Sequence, residues 1–128
     1  MLALFIFVIN IIWESLHYRL YVDLTRIPPA IHILIASFAD LFLIAFIFFI
    51  NSIFNKSINW IENPKKLDYL VIIISGIIIS AGIESYSLSH GRWIYTELMP
   101  TIFGIGLSPL IQLFTSAIIS LLAMKVIK

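Results

Sequence analysis

The chain has 128 residues, 61% of them hydrophobic and 12% charged, with a formal net charge of +1. A mean hydropathy of +1.06 belongs to an integral membrane protein, because soluble domains are nearer half apolar and a quarter charged. The small net charge argues against nucleic acid as a partner. The absence of cysteine excludes disulfides, thiolate metal sites and thiol catalysis.

About 20 residues cross the hydrocarbon, and four stretches qualify: about 2–24, 28–54, 67–88 and 107–127. The expected fold class is an all-α, four-transmembrane-helix bundle, and residues 1–128 form a single membrane domain with no repeat, low-complexity tract or linker. The first span is read as retained, since no basic n-region or small-residue cleavage site precedes or follows its apolar run. It is apolar up to Trp13 and polar beyond, in WESLHYRLY. Pro28 and Pro29 open the second span, where a first helical turn tolerates proline. Ser108 and Pro109 read as the N-cap and first residue of the fourth.

Four spans place both termini on one side. Lys56, Lys65, Lys66, Lys125 and Lys128 fall on that side, against Arg19, Arg26 and Arg92 on the other. The bias predicts cytoplasmic termini in a plasma (inner) membrane. Glu14, Asp23, Glu84 and Glu97 fall in the outer half, with Asp40 deeper. Glu62 and Asp68, on the cytoplasmic side, read as solvated loop and helix-start charges.

Helical spacing puts Asn10, Glu14, His17 and Tyr21 on one stripe. His32 and Asp40 lie about 80° apart on the second helix. The third carries Gly76, Ser80 and Glu84 at spacing four, and the fourth Ser108, Gln112, Ser116 and Ser120. Small and hydroxyl residues at that spacing are ordinary packing seams in lipid. Carboxylates are different: each costs about 2.5–3.5 kcal/mol in mid-span. Glu14, Asp40 and Glu84 therefore need a partner, a proton or a function. The bland account is an ion-pair network, Glu14–His32 or Glu84–Arg19. The functional one is a polar site, with Glu14, His17, His32, Asp40 and Glu84 as catalytic candidates.

The last loop, SHGRWIYTELMPTIFGIGLSP, places His90 and Arg92 beside Trp93 and Tyr95. Aromatics there commonly anchor at the interface. Arg19, Arg92, Trp93, Tyr95, Ser108 and Gln112 are candidates for binding substrate. An arginine suits a phosphate headgroup, as does a helix N-terminus, whereas interfacial snorkelling would account equally for Arg19 and Arg26.

Three chemistries fit this inventory. Glu14-x-x-His17 has half of a di-iron spacing, and Glu14, His17 and His32 are candidate ligands for one divalent metal: zinc, iron or manganese. Acid–base catalysis by carboxyl and imidazole needs no metal and suits an enzyme acting on a lipid or isoprenoid. No G-x-S-x-G marks a serine nucleophile, and no position in the sequence identifies its base. Proton-coupled transport is the rival, since a four-span subunit with a glutamate in its first helix is similar in outline to the small multidrug transporters, which work as homodimers. An accessory subunit meeting a partner's helices is a third reading.

Trp13-Glu14, His32 with Asp40, GRWIYTELMP and GIGLSPLIQ resemble a set of small microbial four-span membrane proteins, over nearly the whole chain. The resemblance implies a four-span fold with the same outer-half residues as its signature, and carries over no activity; membrane lipids are the expected partners.

Overall fold

A computed structural model describes residues 1–22 and 28–127. Its four long helices are α1 (Leu2–His17), α2 (Pro29–Asn55), α3 (Lys66–Ser89) and α4 (Leu107–Ile127). α1 runs on through a short 3-10 turn, Tyr18–Leu20, and with that turn all four are long and apolar enough to cross a membrane. The expected first span to residue 24 outlasts the helix. Tyr21 is already extended, with φ −108° and ψ 147°, and 23 and 24 lie outside the described residues, as do Arg26 and Lys128.

The outward faces are apolar and the interior holds the polar groups. Phe38, Phe42, Phe46 and Phe49 are exposed along α2, as a lipid-facing surface requires. Asn10, Asn51, Ser37, Ser87, Ser116 and Ser120 are fully buried. The apolar core, including Ile44, Ile47, Ile72, Leu113 and Ala117, fills the half of the bundle nearer the termini.

α3 and α4 meet at Gly76. A Cβ there would stand 3.0 Å from Phe114 Cβ and 3.1 Å from its backbone nitrogen, so glycine lets the two helices approach more closely than a larger residue would without a shift of Phe114. Near the termini, Asp68 is a correction to the sequence reading: it starts a helix, but it is buried. Its Oδ2 accepts from the Lys65 backbone N–H at 2.8 Å and its Oδ1 from Asn55 Nδ2 at 2.8 Å. The carboxyl thus caps α3 and ties it to α2.

At the opposite, distal end, the segment after α1 pairs with the segment after α3. Val22 N–H donates to the Ile94 carbonyl and Thr96 N–H to the Leu20 carbonyl, both at 2.8 Å, around a Tyr21–Tyr95 bridge. This pairing explains why the helix gives way: the backbone after Leu20 finds partners in the other loop. A small antiparallel hairpin, β1 (Thr101–Ile102) and β2 (Ile105–Gly106), then leads into α4. Its two-residue turn has positive φ at Phe103 (54°) and Gly104 (80°), the geometry that fits strand twist.

Candidate functional site

Two polar clusters occupy the distal half. The first joins α1, α2 and α4. Glu14 and His17, one helical turn apart, bond through Glu14 Oε2 and His17 Nε2 at 2.8 Å, with side chains 15% and 6% exposed. The other ring nitrogen, Nδ1, lies 2.8 Å from Ser108 Oγ. Ser108 Oγ also accepts the Trp13 indole N–H at 3.0 Å. The sequence reading made Ser108 an N-cap; here α4 begins at Leu107, and the Ser108 hydroxyl reaches across to α1.

Gln112 organises the carboxyl groups. Its Nε2 lies 2.9 Å from Glu14 Oε1, 2.7 Å from Asp40 Oδ2 and 3.0 Å from Asn10 Oδ1. An amide carries two hydrogens, so three oxygens cannot all be served from it. Ser116 Oγ supplies Asn10 Oδ1 with a second donor at 3.2 Å. Glu14 and Asp40 thus meet at the same amide nitrogen.

The second cluster surrounds Glu84, which is 5% exposed. Its Oε1 accepts from Tyr21 Oη at 3.0 Å. Oε2 accepts from Trp93 Nε1 at 2.6 Å and Tyr95 Oη at 2.9 Å. Tyr95 Oη in turn accepts the Gly106 backbone N–H at 3.0 Å. Burial, followed by the Glu84 charge, pushes the Tyr95 phenol above the ordinary tyrosine value despite the Gly106 bond. Three neutral donors thus fix the carboxyl to both connecting loops. The clusters adjoin where the Tyr21 ring meets His17 edge-on, with centroids 5.4 Å apart.

The catalytic candidates Glu14, His17 and Asp40 are therefore brought together, while Glu84 stands in the neighbouring cluster. His32 belongs to neither. Its ring packs edge-on against Tyr18 at 5.5 Å, and its buried Nδ1 has no hydrogen-bond partner among the described residues. The expected ligand trio of Glu14, His17 and His32 is not gathered: among the described residues no three His, Asp or Glu form a group able to hold a metal ion. Neither proposed ion pair forms, because Glu14 turns to His17 and Gln112 and Glu84 to aromatic donors. Arg19 and Arg92 are exposed, and the Arg92 guanidinium lies 5.6 Å from the Trp93 ring centre. Trp93 and Tyr95 direct their polar ends inward, onto Glu84.

Beside the first cluster is a hollow of about 300 Å³ lined by Trp13, Leu16, His17, Leu20 and Ser108. Leu16 in its lining is 71% exposed, so the hollow is open to the surface of the bundle. A larger hollow of about 540 Å³ near the termini is lined by apolar residues and Ser52, with no ionisable group. Sequence reasoning passed over Trp13; its i, i+4 spacing to His17 was the available signal. Comparison of the chain with family models, curated proteins and solved structures finds no match.

Proposed function

We propose that this protein is a small membrane enzyme that moves a proton on a lipid or isoprenoid substrate entering the lateral hollow from the bilayer. The supporting observation is that His17 is the one ionisable side chain lining that hollow and is held from behind by Glu14 at 2.8 Å. An imidazole oriented by a carboxyl group is the usual general acid–base arrangement. Asp40 and Gln112 complete the polar wall behind it, and Glu84 fixes the loops above. The lysine bias supports cytoplasmic termini in a plasma membrane, which places the hollow in the outer leaflet. Substrate headgroups would then meet Arg19 and Arg92 at the surface.

The test is turnover by the purified protein in nanodiscs loaded with total microbial polar lipids and isoprenoids, followed by mass spectrometry. His17→Asn and Glu14→Gln are expected to lower conversion at least about 100-fold. Unchanged conversion in a folded His17→Asn protein would sink the reading. A second reading, proton-coupled transport by a homodimer, draws support from two carboxyl groups, Glu14 and Asp40, meeting at the Gln112 amide. It predicts no lipid conversion, together with a proton flux that Glu14→Gln alone abolishes.

A further inference from the structure

Trp13, Ser108 and His17 in the hollow's lining, with Glu14 behind them, line up their hydrogen bonds in one direction. Trp13 Nε1–H can only donate, so it fills a lone pair of Ser108 Oγ at 3.0 Å. Gln112 donates to Glu14 Oε1 at 2.9 Å, which leaves Oε2 facing His17 Nε2 at 2.8 Å. With Glu14 accepting, the ring hydrogen sits on Nε2, and Nδ1 offers its lone pair to the Ser108 hydroxyl at 2.8 Å. This is the tautomer that removes a proton from serine. The roles match the serine–histidine–carboxylate arrangement, with the two ring nitrogens exchanged relative to its common form.

Resting on the proton-transfer reading above, we infer that Ser108 is a nucleophile, with His17 as its base and Glu14 as the positioning residue, acting on the carboxylic ester of a membrane lipid. Three observations carry this beyond a packing contact. Of the α4 stripe Ser108, Gln112, Ser116 and Ser120, only Ser108 lines the hollow. Ser120 bonds instead to the Ser116 carbonyl, as seam serines do. Ser108 stands in the first turn of α4, where the helix dipole favours the negative charge that develops on an attacked carbonyl. The rest of the lining, Trp13, Leu16 and Leu20, contains no cation, which suits a neutral acyl ester better than a phosphodiester.

The chemistry balances with water as co-reactant. Ser108 Oγ adds to the ester carbonyl carbon while His17 Nδ1 takes the hydroxyl proton. The carbon–oxygen bond to the alcohol then breaks, and the leaving oxygen keeps the electron pair and takes the proton from Nδ1. A water molecule, deprotonated by the same nitrogen, attacks the acyl-serine. The carboxylic acid departs, and the proton returns to Ser108.

The decisive experiment incubates the full chain in nanodiscs with a long-chain alkyl fluorophosphonate and maps the adduct by intact and peptide mass. One adduct on Ser108 of the wild-type chain is expected, absent in Ser108→Ala, and slowed at least about 100-fold in His17→Asn. Ser15→Ala, on an exposed position of α1, should label as the wild type does. No adduct on the wild-type chain, or a wild-type adduct mapped to a residue other than Ser108, overturns the inference; neither depends on a variant folding. The lipid-conversion assay separates the two levels. If conversion falls in His17→Asn but survives in Ser108→Ala, the nucleophile is wrong and the proton-transfer reading stands. If His17→Asn converts normally and no adduct forms, both are wrong.

Discussion

Glu84 shows what a carboxyl group in a membrane protein demands of its surroundings. Its two oxygens take one tyrosine hydroxyl on one side and an indole N–H and a second tyrosine hydroxyl on the other. The cost of burying the charge is thus offset by neutral donors and needs no cation. The phenol of Tyr95 answers for this with a raised pKa, burial being the largest cause. A raised value means that its share of stability is complete below the ordinary tyrosine pKa near ~10 and fades as pH climbs through the folded-state value. Alkaline titration by tyrosinate absorbance should therefore find Tyr95 ionising later than an exposed tyrosine. Glu84→Gln, which removes the charge, should bring it earlier; an unmoved late titration in that variant would count against the contact. Sequence alone marked Glu84 as needing partners. Its bland account offered Arg19 as the partner because charge sorting sees only formal charges, and aromatic donors carry none.

At the scale of the helix, small residues set how closely the elements approach. The stripe Gly76, Ser80 and Glu84 was legible at spacing four, and Gly76 is where α3 touches α4. A methyl group at Gly76 must push Phe114 away, and overpacking of this kind typically costs about 1–3 kcal/mol. Gly82 lies on the same helix with nothing within 4 Å of a built Cβ, so alanine there removes only the helix penalty of glycine, about 1 kcal/mol. Thermal melts in detergent should show Gly76→Ala less stable than wild type and Gly82→Ala equal or more stable. The same melting point for both variants would mean that α3 and α4 are not in contact there. What spacing did not reveal is where α1 would end. Its polar tail reads as further helix, yet the distal loops take the Leu20 carbonyl and Val22 N–H into strand-like pairing, a choice made by residues some 70 positions away.

For the whole molecule, the lysine bias predicts which way the bundle faces. The chain has no native cysteine, so single substitutions report cleanly. A membrane-impermeant maleimide applied to intact cells should label Glu97→Cys, in the exposed distal loop, and spare Ser57→Cys, exposed between α2 and α3. The reverse pattern would invert the bundle and move the hollow to the inner leaflet. Under the proposed function leaflet is the deciding variable for substrate, since a lipid would reach Ser108 and His17 only from the side on which they lie.

Apolar length and composition by themselves determined that four helices are long and apolar enough to span a membrane, because hydrocarbon demands about 20 apolar residues per crossing with every backbone group satisfied inside the helix. They also singled out Glu14, Asp40 and Glu84, because charge inside lipid is costly wherever it falls. Which groups those residues meet was decided by tertiary structure. Ser108 lies 91 positions from His17 and Gln112 lies 72 from Asp40, and nothing local fixes distances of a few ångströms across such separations. The packing of α4 between α1 and α3, permitted by Gly76 and braced by the paired loops, brings hydroxyl, imidazole and carboxyl into one line and leaves His32 outside it.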